Sequence, residues 1–304
     1  MTSIDTAAIL AAARAVVPGL VRAPGLPTRR SIKCALVPAI ADGRRVIVKA
    51  LHGRDVPWRW YLEREIALYD AFRRDPPPVS VPELVGADAA RGLLVVTHVE
   101  GRPLATARHD PRARAHPSDE RWRALLSARA AIASWDAGRS LARLSPNADV
   151  VRALRARVLE DPSATGWIAD GARRCAELGV LRQEDAERIV AALAGAPVAF
   201  QHGDLLLRNV IARADALTFV DWECAGPHLA CWDAALLWVW APAWARTELA
   251  RAFEAHADAL TACVAFAFAR EIALRMSLRR GEPEADPIGR RLRDALADVL
   301  RRLR

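Results

Sequence analysis

Lysine is nearly missing from this chain of 304 residues: of its 44 basic side chains all are arginine except Lys33 and Lys49. Lysine carries a compact point charge on a slim stem, whereas guanidinium is a wide planar fork. A lysine that persists against so strong a bias marks a place where arginine would not serve. Cysteine is scarce too. The five, at positions 34, 175, 224, 231 and 263, form no C-x-x-C pair, and Cys224 and Cys231 have no His or Cys partner at metal-ligand spacing. That excludes a zinc ribbon or a disulfide framework and predicts free thiols in a reducing, cytoplasmic setting. The opening "MTSIDTAAILAAARAVV" lacks a basic n-region, so no secretory leader is expected. No apolar run is long enough for a bilayer. The most apolar segment, 228–244, is interrupted by Asp233 and ended by Pro242, which predicts a buried helix. There is no internal repeat and no polar low-complexity tract.

What is present is a globular composition, 52% hydrophobic and 26% charged, with length for two subdomains. The net charge of +8 comes from residues 1–200, with 30 basic and 22 acidic side chains; residues 201–304 carry 14 of each. No stripe of basic residues interleaves with aromatics, so a phosphate-rich small ligand is a better partner for this surface than nucleic acid.

The pattern along the chain predicts a first helix at 6–17 with Thr6 or Asp5 as cap, then a hairpin of "SIKCALVPAI" and "RRVIVKAL" around "ADG". A helix opened by Pro57 follows, stopped by the "DPPPVSVP" run. Strands are expected near 83–89 and at 93–99, then a loop at 100–120, a connector or alternatively a basic lid. Helices are expected at 118–143, 149–159, 168–178 and 183–194, a strand at "PVAFQ", a hairpin of "NVIAR" and "LTFVD", and mainly helix from 229 onward. A β-rich first part followed by a helix-rich second part is an α+β arrangement.

The chemistry concentrates in "AFQHGDLLLRNVIARADALTFVDWE", residues 199–223. Asp204 and Asn209 fall on a loop between a strand and a hairpin, and Asp221 closes the hairpin. Carboxylate and carboxamide oxygens suit Mg²⁺, which takes one or two protein carboxylates plus phosphate oxygens. A further carboxylate, not held by metal, accepts a proton from an alcohol. Together they are the set that phosphoryl transfer to a hydroxyl requires.

This spacing resembles the protein-kinase catalytic loop, with Gly203 in place of its arginine. "HGD-x4-N" followed by "VDWE" is more similar to the aminoglycoside phosphotransferase and choline kinase-like family. The resemblance implies a bilobal protein-kinase-like fold: a small β-rich nucleotide-binding lobe over 1–99 and a larger, mainly helical catalytic and substrate-binding lobe over 100–304, hinged near 97–102. It implies Asp204 as the catalytic base, Asn209 and Asp221 as metal ligands, and a strand lysine, Lys49 of "VIVK", on the phosphates. It also asks for a helix glutamate to hold that lysine. Glu63 and Glu65 both follow; at 100° per residue Glu65 falls within the arc of Trp58, Tyr61, Leu68, Tyr69 and Phe72, whereas Glu63 lies opposite. A carboxylate on a buried face needs a cationic partner, so Glu65 is expected on Lys49. The backbone of Thr97, His98 and Val99 would meet the nucleobase, Asp233 would steady the catalytic loop, and His202 would be structural.

Several positions depart from the family pattern. No G-x-G-x-x-G precedes Lys49; Ser31 or Lys33 of "RRSIKCALV" would touch the phosphates instead, with a solvated turn lysine as the alternative. Ser145 stands where members often carry His, and Leu206 where protein kinases place Lys. Whether Arg208 replaces that charge, and whether Glu223 touches a second metal, stay open. The expected activity is ATP- or GTP-dependent, Mg²⁺-dependent O-phosphorylation of a small hydroxylated molecule by a monomer or homodimer, with no nucleic-acid or membrane partner. The Arg- and Ala-rich composition is associated with antibiotic kinases of high-GC bacteria, acting on nucleoside, macrolide or aminoglycoside compounds. A metabolic kinase of the choline, homoserine or sugar type is the alternative. A protein kinase lacks support, since no "APE"-type segment follows "DWE", and a silent nucleotide-binding module would have lost one of these residues.

Overall fold

The computed structural model describes residues 5–31, 33–52, 56–105, 117–135, 166–278 and 287–303. Helix α1 (Thr6–Arg14) is capped by Asp5, whose carboxylate accepts the Ala8 N–H at 2.9 Å. It ends at Arg14, short of the expected 17. Two short strands, β1 (Val21–Arg22) and β2 (Arg29–Arg30), precede the hairpin of β3 (Cys34–Ala41) and β4 (Arg44–Leu51). Asp42 and Gly43 join them with φ of 49° and 74°, the pair of positive values a type I′ turn requires and Asp-Gly tolerates. β3 starts at Cys34 because the Ser31 hydroxyl accepts the N–H groups of Lys33 (3.2 Å) and Cys34 (3.0 Å), closing a local turn before the ladder begins. Helix α2 (Val56–Arg74), β5 (Leu84–Asp88) and β6 (Leu93–Thr97) follow. The sheet is antiparallel, ordered β1-β3-β4-β6-β5, with β2 on β3.

Strand periodicity sorts the faces of β4. Val46, Val48 and Ala50 join the cluster that includes Leu10, Ala13 and Val17, under α1. Lys49 therefore faces the other way, toward α2, and pairs in register with Leu94, which belongs to the larger cluster. Helix α2 adds Leu62, Leu68, Tyr69 and Phe72 to that larger cluster, so its buried stripe binds it to the C-terminal part of the chain.

After β7 (Arg102–Pro103) come α3 (Asp119–Ser134), α4 (Gly166–Glu177), α5 (Gln183–Ala192), β8 (Val198–Gln201), β9 (Val210–Arg213), β10 (Ala216–Phe219) and β11 (Gly226–Leu229). Then follow α6 (Trp232–Trp238), α7 (Ala243–Ala252), α8 (Ala257–Leu278) and α9 (Pro287–Arg302). β9 and β10 form the expected hairpin, extended by β7, and β8 pairs with β11. The expected helix at 149–159, the end of the one at 118–143, Ser145 and most of the 100–120 loop lie outside the described residues. The apolar segment 228–244 is not one helix: α6 stops at Trp238 and Pro242 caps α7. Ala262 through Ala269 of α8 are at most 3% exposed on every side, which makes α8 the axis around which the helices pack. Among the described residues no helix is long and apolar enough to cross a membrane. The architecture is the expected α+β fold, with its antiparallel sheet in the N-terminal part.

Candidate active site

Lys49 is the centre of a buried charge cluster. Its ammonium donates to Glu65 Oε2 at 2.6 Å, Asp221 Oδ1 at 2.8 Å and Glu223 Oε2 at 3.0 Å. Glu63, the acid that helical geometry set aside, pairs locally with Arg59 at 3.1 Å. Glu65 is 2% exposed. Burial pushes its carboxyl up to about 7, against the pull of the Lys49 charge. Asp221 moves the other way: burial would raise it, but the Lys49 and Lys33 charges outweigh burial and hold it well below the usual carboxylate range. Burial would likewise lower Lys49, and Asp221, Glu65 and Glu223 together raise it well above the ordinary lysine value. Lys33 reaches the same place from the turn before β3, bonding Glu223 and standing 3.9 Å from Asp221 Oδ2.

The peptide at Asp221 is not strand, as the pattern predicted. β10 ends at Phe219 and Asp221 takes φ 65°, left-handed, at the head of a short turn through Trp222–Cys224. A non-glycine residue in that region costs about 1–2 kcal/mol, and Asp is among the few that visit it readily. Helix α2 holds this turn from outside. Arg64 Nε donates to the Ala225 carbonyl at 2.8 Å, and Phe72 meets Trp222 edge-on at 5.0 Å. The helix that supplies Glu65 is thereby docked on the turn that supplies Asp221 and Glu223.

The loop after β8 is built from behind. Asp233, on α6 and 1% exposed, accepts the N–H groups of His202 (2.7 Å) and Gly203 (3.0 Å). The Trp232 indole donates to the Gly203 carbonyl at 2.9 Å. Gly203 takes φ 79°, and a Cβ there would run into the Cys224 carbonyl and the His228 ring, so no side chain fits. His202 is fully buried, its Nε2 donating to the Val220 carbonyl at 3.1 Å and its ring tilted on Trp222 at 4.6 Å. These contacts aim Asp204. Its Oδ2 accepts from Asn209 Nδ2 and Arg208 Nη2, each at 3.1 Å, and its Oδ1 faces Arg270 Nη2 at 3.5 Å. Asn209 also bonds the Asp204 carbonyl at 2.8 Å with the same amide nitrogen, which leaves its carbonyl oxygen as the ligand it offers a cation. The Val220 N–H donates to the backbone carbonyl of Asn209 at 2.9 Å, tying the loop to the Asp221 turn.

The donor set fits a hard cation. Carboxylate oxygens of Glu65, Asp221 and Glu223 lie within 4.8 Å of one another, and Mg²⁺ prefers such oxygens. Thr97 and His98 sit at the end of β6, where their N–H groups already donate to the Glu83 and Arg45 carbonyls at 2.9 and 3.0 Å. Val99 follows directly. The Ser31 hydroxyl is engaged in the turn that presents Lys33. Glu223, whose role the sequence leaves open, is a partner of both lysines. Arg270, on α8 just past its apolar 262–269 run, carries no signal in the sequence that would bring it to Asp204.

The model of the phosphotransferase enzyme family matches residues 39–272. No curated protein matches the sequence. Among solved structures, a macrolide 2'-phosphotransferase from Brachybacterium faecium is 20% identical, with 98% of each chain covered and a TM-score of 0.61. A thermostable mutant of the aminoglycoside phosphotransferase APH(4)-Ia, in complex with ADP and hygromycin B, is 12% identical over 99% of this chain and 98% of its own, also at 0.61. The GDP and kanamycin complex of the aminoglycoside phosphotransferase APH(2")-IIIa is 11% identical over 94% and 93%, at 0.55. At these identities the likenesses establish the fold, a protein-kinase-like one, and the family match establishes the family: the chain belongs to the phosphotransferase enzyme family.

Proposed function

We propose that the protein transfers the γ-phosphate of ATP or GTP to a hydroxyl of a small, weakly cationic antibiotic or similar metabolite. The observation that carries this reading is the convergence of Lys49, Glu65, Asp221 and Glu223 on one point, joined by backbone to the Asp204–Asn209 loop. Residues 1–99 would bind the nucleotide and residues 100–304 would carry catalysis and the acceptor.

In this reading Lys49, held by Glu65, steadies the phosphates, while Asn209 and Asp221 hold the metal. Magnesium, when bound, neutralises charge on the phosphates and orients them for in-line transfer. Asp204 orients the acceptor hydroxyl and takes its proton as the oxygen attacks phosphorus. Arg208 lies between the two halves of the site, bonded to Asp204 and close enough for its charge to act on Asp221, a position suited to the transferring phosphoryl group. Backbone of Thr97 to Val99 receives the base. The five cysteines, unpaired in the structure, suit a reducing cytoplasm.

The sign of the acceptor follows from Asp204. Arg208 and Arg270 both face its carboxylate, leaving a surplus of positive charge where the acceptor must sit. That favours a nucleoside-like, macrolide-like or sugar-type hydroxyl over a polycation. The test is direct. Thermal melts with Mg-ATP and Mg-GTP should rise with at least one of them, and a panel of hydroxylated compounds, read by mass spectrometry, should yield a product heavier by one phosphate. A chain that neither nucleotide stabilises is not this enzyme.

A further inference from the structure

We propose that Lys33 is a second phosphate-binding cation, parked on Glu223 until a metal-bound nucleotide arrives. The proposal rests on the nucleotide-dependent reading above and adds a residue and an order of events to it.

Both lysines of a chain otherwise furnished with arginine end on the same carboxylates. Lys33 and Glu223 are 190 residues apart in sequence, so no local regularity brings them together. They divide the Glu223 carboxylate between them: Lys33 on Oε1, Lys49 on Oε2. Two compact ammonium groups share this carboxylate beside Asp221 and Glu65, where wide planar guanidinium forks are the poorer fit. The charges in this cluster are three carboxylates against two ammoniums. Buried carboxylates hold only while paired, so in the nucleotide-free chain both lysines are needed where they are.

That requirement ends when the carboxylates receive a divalent cation. Lys49 then keeps Glu65, Lys33 loses its carboxylate partners, and phosphate oxygens are the anions that replace them. Lys49 has the strand position for this. Lys33 is carried on a turn whose geometry Ser31 sets, bonding the Lys33 and Cys34 N–H groups with its hydroxyl and the Cys34 carbonyl with its own N–H at 2.8 Å. The turn occupies the place where a glycine-rich loop would cover phosphates with backbone amides. Here a side-chain cation does that work, which accounts for the missing glycines.

The test is a calorimetric titration of ADP and of GDP, with and without Mg²⁺, into the full chain and three variants: Lys33→Gln, Glu223→Gln and the double variant. Lys33→Gln should weaken Mg-nucleotide binding about tenfold, the scale of one charge-assisted hydrogen bond. Glu223→Gln frees Lys33 early, so it should strengthen metal-free nucleotide binding by about tenfold, and adding Lys33→Gln should erase that gain. A structural lysine would give no gain to erase. If Lys33→Gln binds Mg-nucleotide as the native chain does, or if the gain survives in the double variant, Lys33 is not a phosphate ligand, whereas the enzyme's broader assignment stands. If the native chain binds neither nucleotide with Mg²⁺, both readings fall. Should Lys33→Gln lose its cooperative melt, Lys33→Met, which keeps the stem, replaces it.

Discussion

One carboxylate, that of Asp233, accepts the backbone N–H groups of both His202 and Gly203, and Gly203 can take no side chain where it lies. Two backbone donors of the proposed catalytic loop therefore depend on one buried acceptor. Removing it orphans two buried donors, each worth about 1–3 kcal/mol. Asp233→Ala should lose about 2–5 kcal/mol in urea denaturation with an unchanged slope, and the surviving folded protein should phosphorylate poorly because Asp204 is no longer aimed. A variant with native stability would mean that the loop supports itself.

Asp204 separates chemistry from binding. Asn at this position keeps the size of the side chain and one oxygen for Arg208 or Asn209, but cannot accept the acceptor's proton. Asp204→Asn should lower kcat by about 10²–10⁴-fold while Mg-nucleotide affinity, measured by calorimetry, stays within about twofold. Turnover near the native rate would remove Asp204 from the mechanism.

How much of this site was legible depends on how far each contact reaches along the chain. The choice of Glu65 over Glu63 follows from 100° per residue, and the structure has Glu65 on Lys49 and Glu63 on Arg59. The Asp42-Gly43 turn is equally local. Asp221 reads as strand because "LTFV" continues into it; the left-handed backbone at 65° belongs to a turn whose Trp222 packs on Phe72, and it has no signature in composition. Arg270 meets Asp204 across 66 residues, from the end of a helix run, 262–269, that is buried on every side and has no polar stripe. The pairing of Lys33 with Glu223 is a matter of tertiary register alone.

Stability should respond weakly to pH between 4.5 and 6.5, because two groups oppose each other there. His228 is lowered to about 4 by burial, with the Arg64 charge adding to it although its bond to the Cys224 carbonyl pulls back. The unfolded chain then binds a proton the folded chain refuses, so this contribution is full above about 6.5 and is lost as pH falls toward 4. Glu65, raised to about 7 by burial, does the reverse: its contribution is full below about 4.5 and is lost as pH rises through 7. Asp233, also raised by burial, acts in the same sense as Glu65. Melting temperatures across this window should therefore rise on acidification in His228→Asn and fall in Glu65→Gln. Parallel curves for the two variants would contradict the opposition.

The acceptor's charge is decided at Asp204, where the two guanidiniums of Arg208 and Arg270 stand at 3.1 and 3.5 Å from its two oxygens. Arg208 also acts on Asp221, toward the metal side. Arg270, which reaches the other Asp204 oxygen from α8, is the guanidinium to test against the acceptor. Unit charges of like sign about 4 Å apart repel by about 1 kcal/mol in water and about 4 kcal/mol near a protein surface, and a kanamycin-type molecule brings several ammonium groups. Such a polycation should be a poor substrate beside a neutral hydroxyl of similar size. Arg270→Gln should raise KM for the neutral acceptor and shift the ratio of kcat/KM values toward the polycation by about tenfold, leaving nucleotide affinity as it was. Efficient phosphorylation of kanamycin by the native chain, with no change in that ratio on substitution, would show that the acceptor docks away from Arg270.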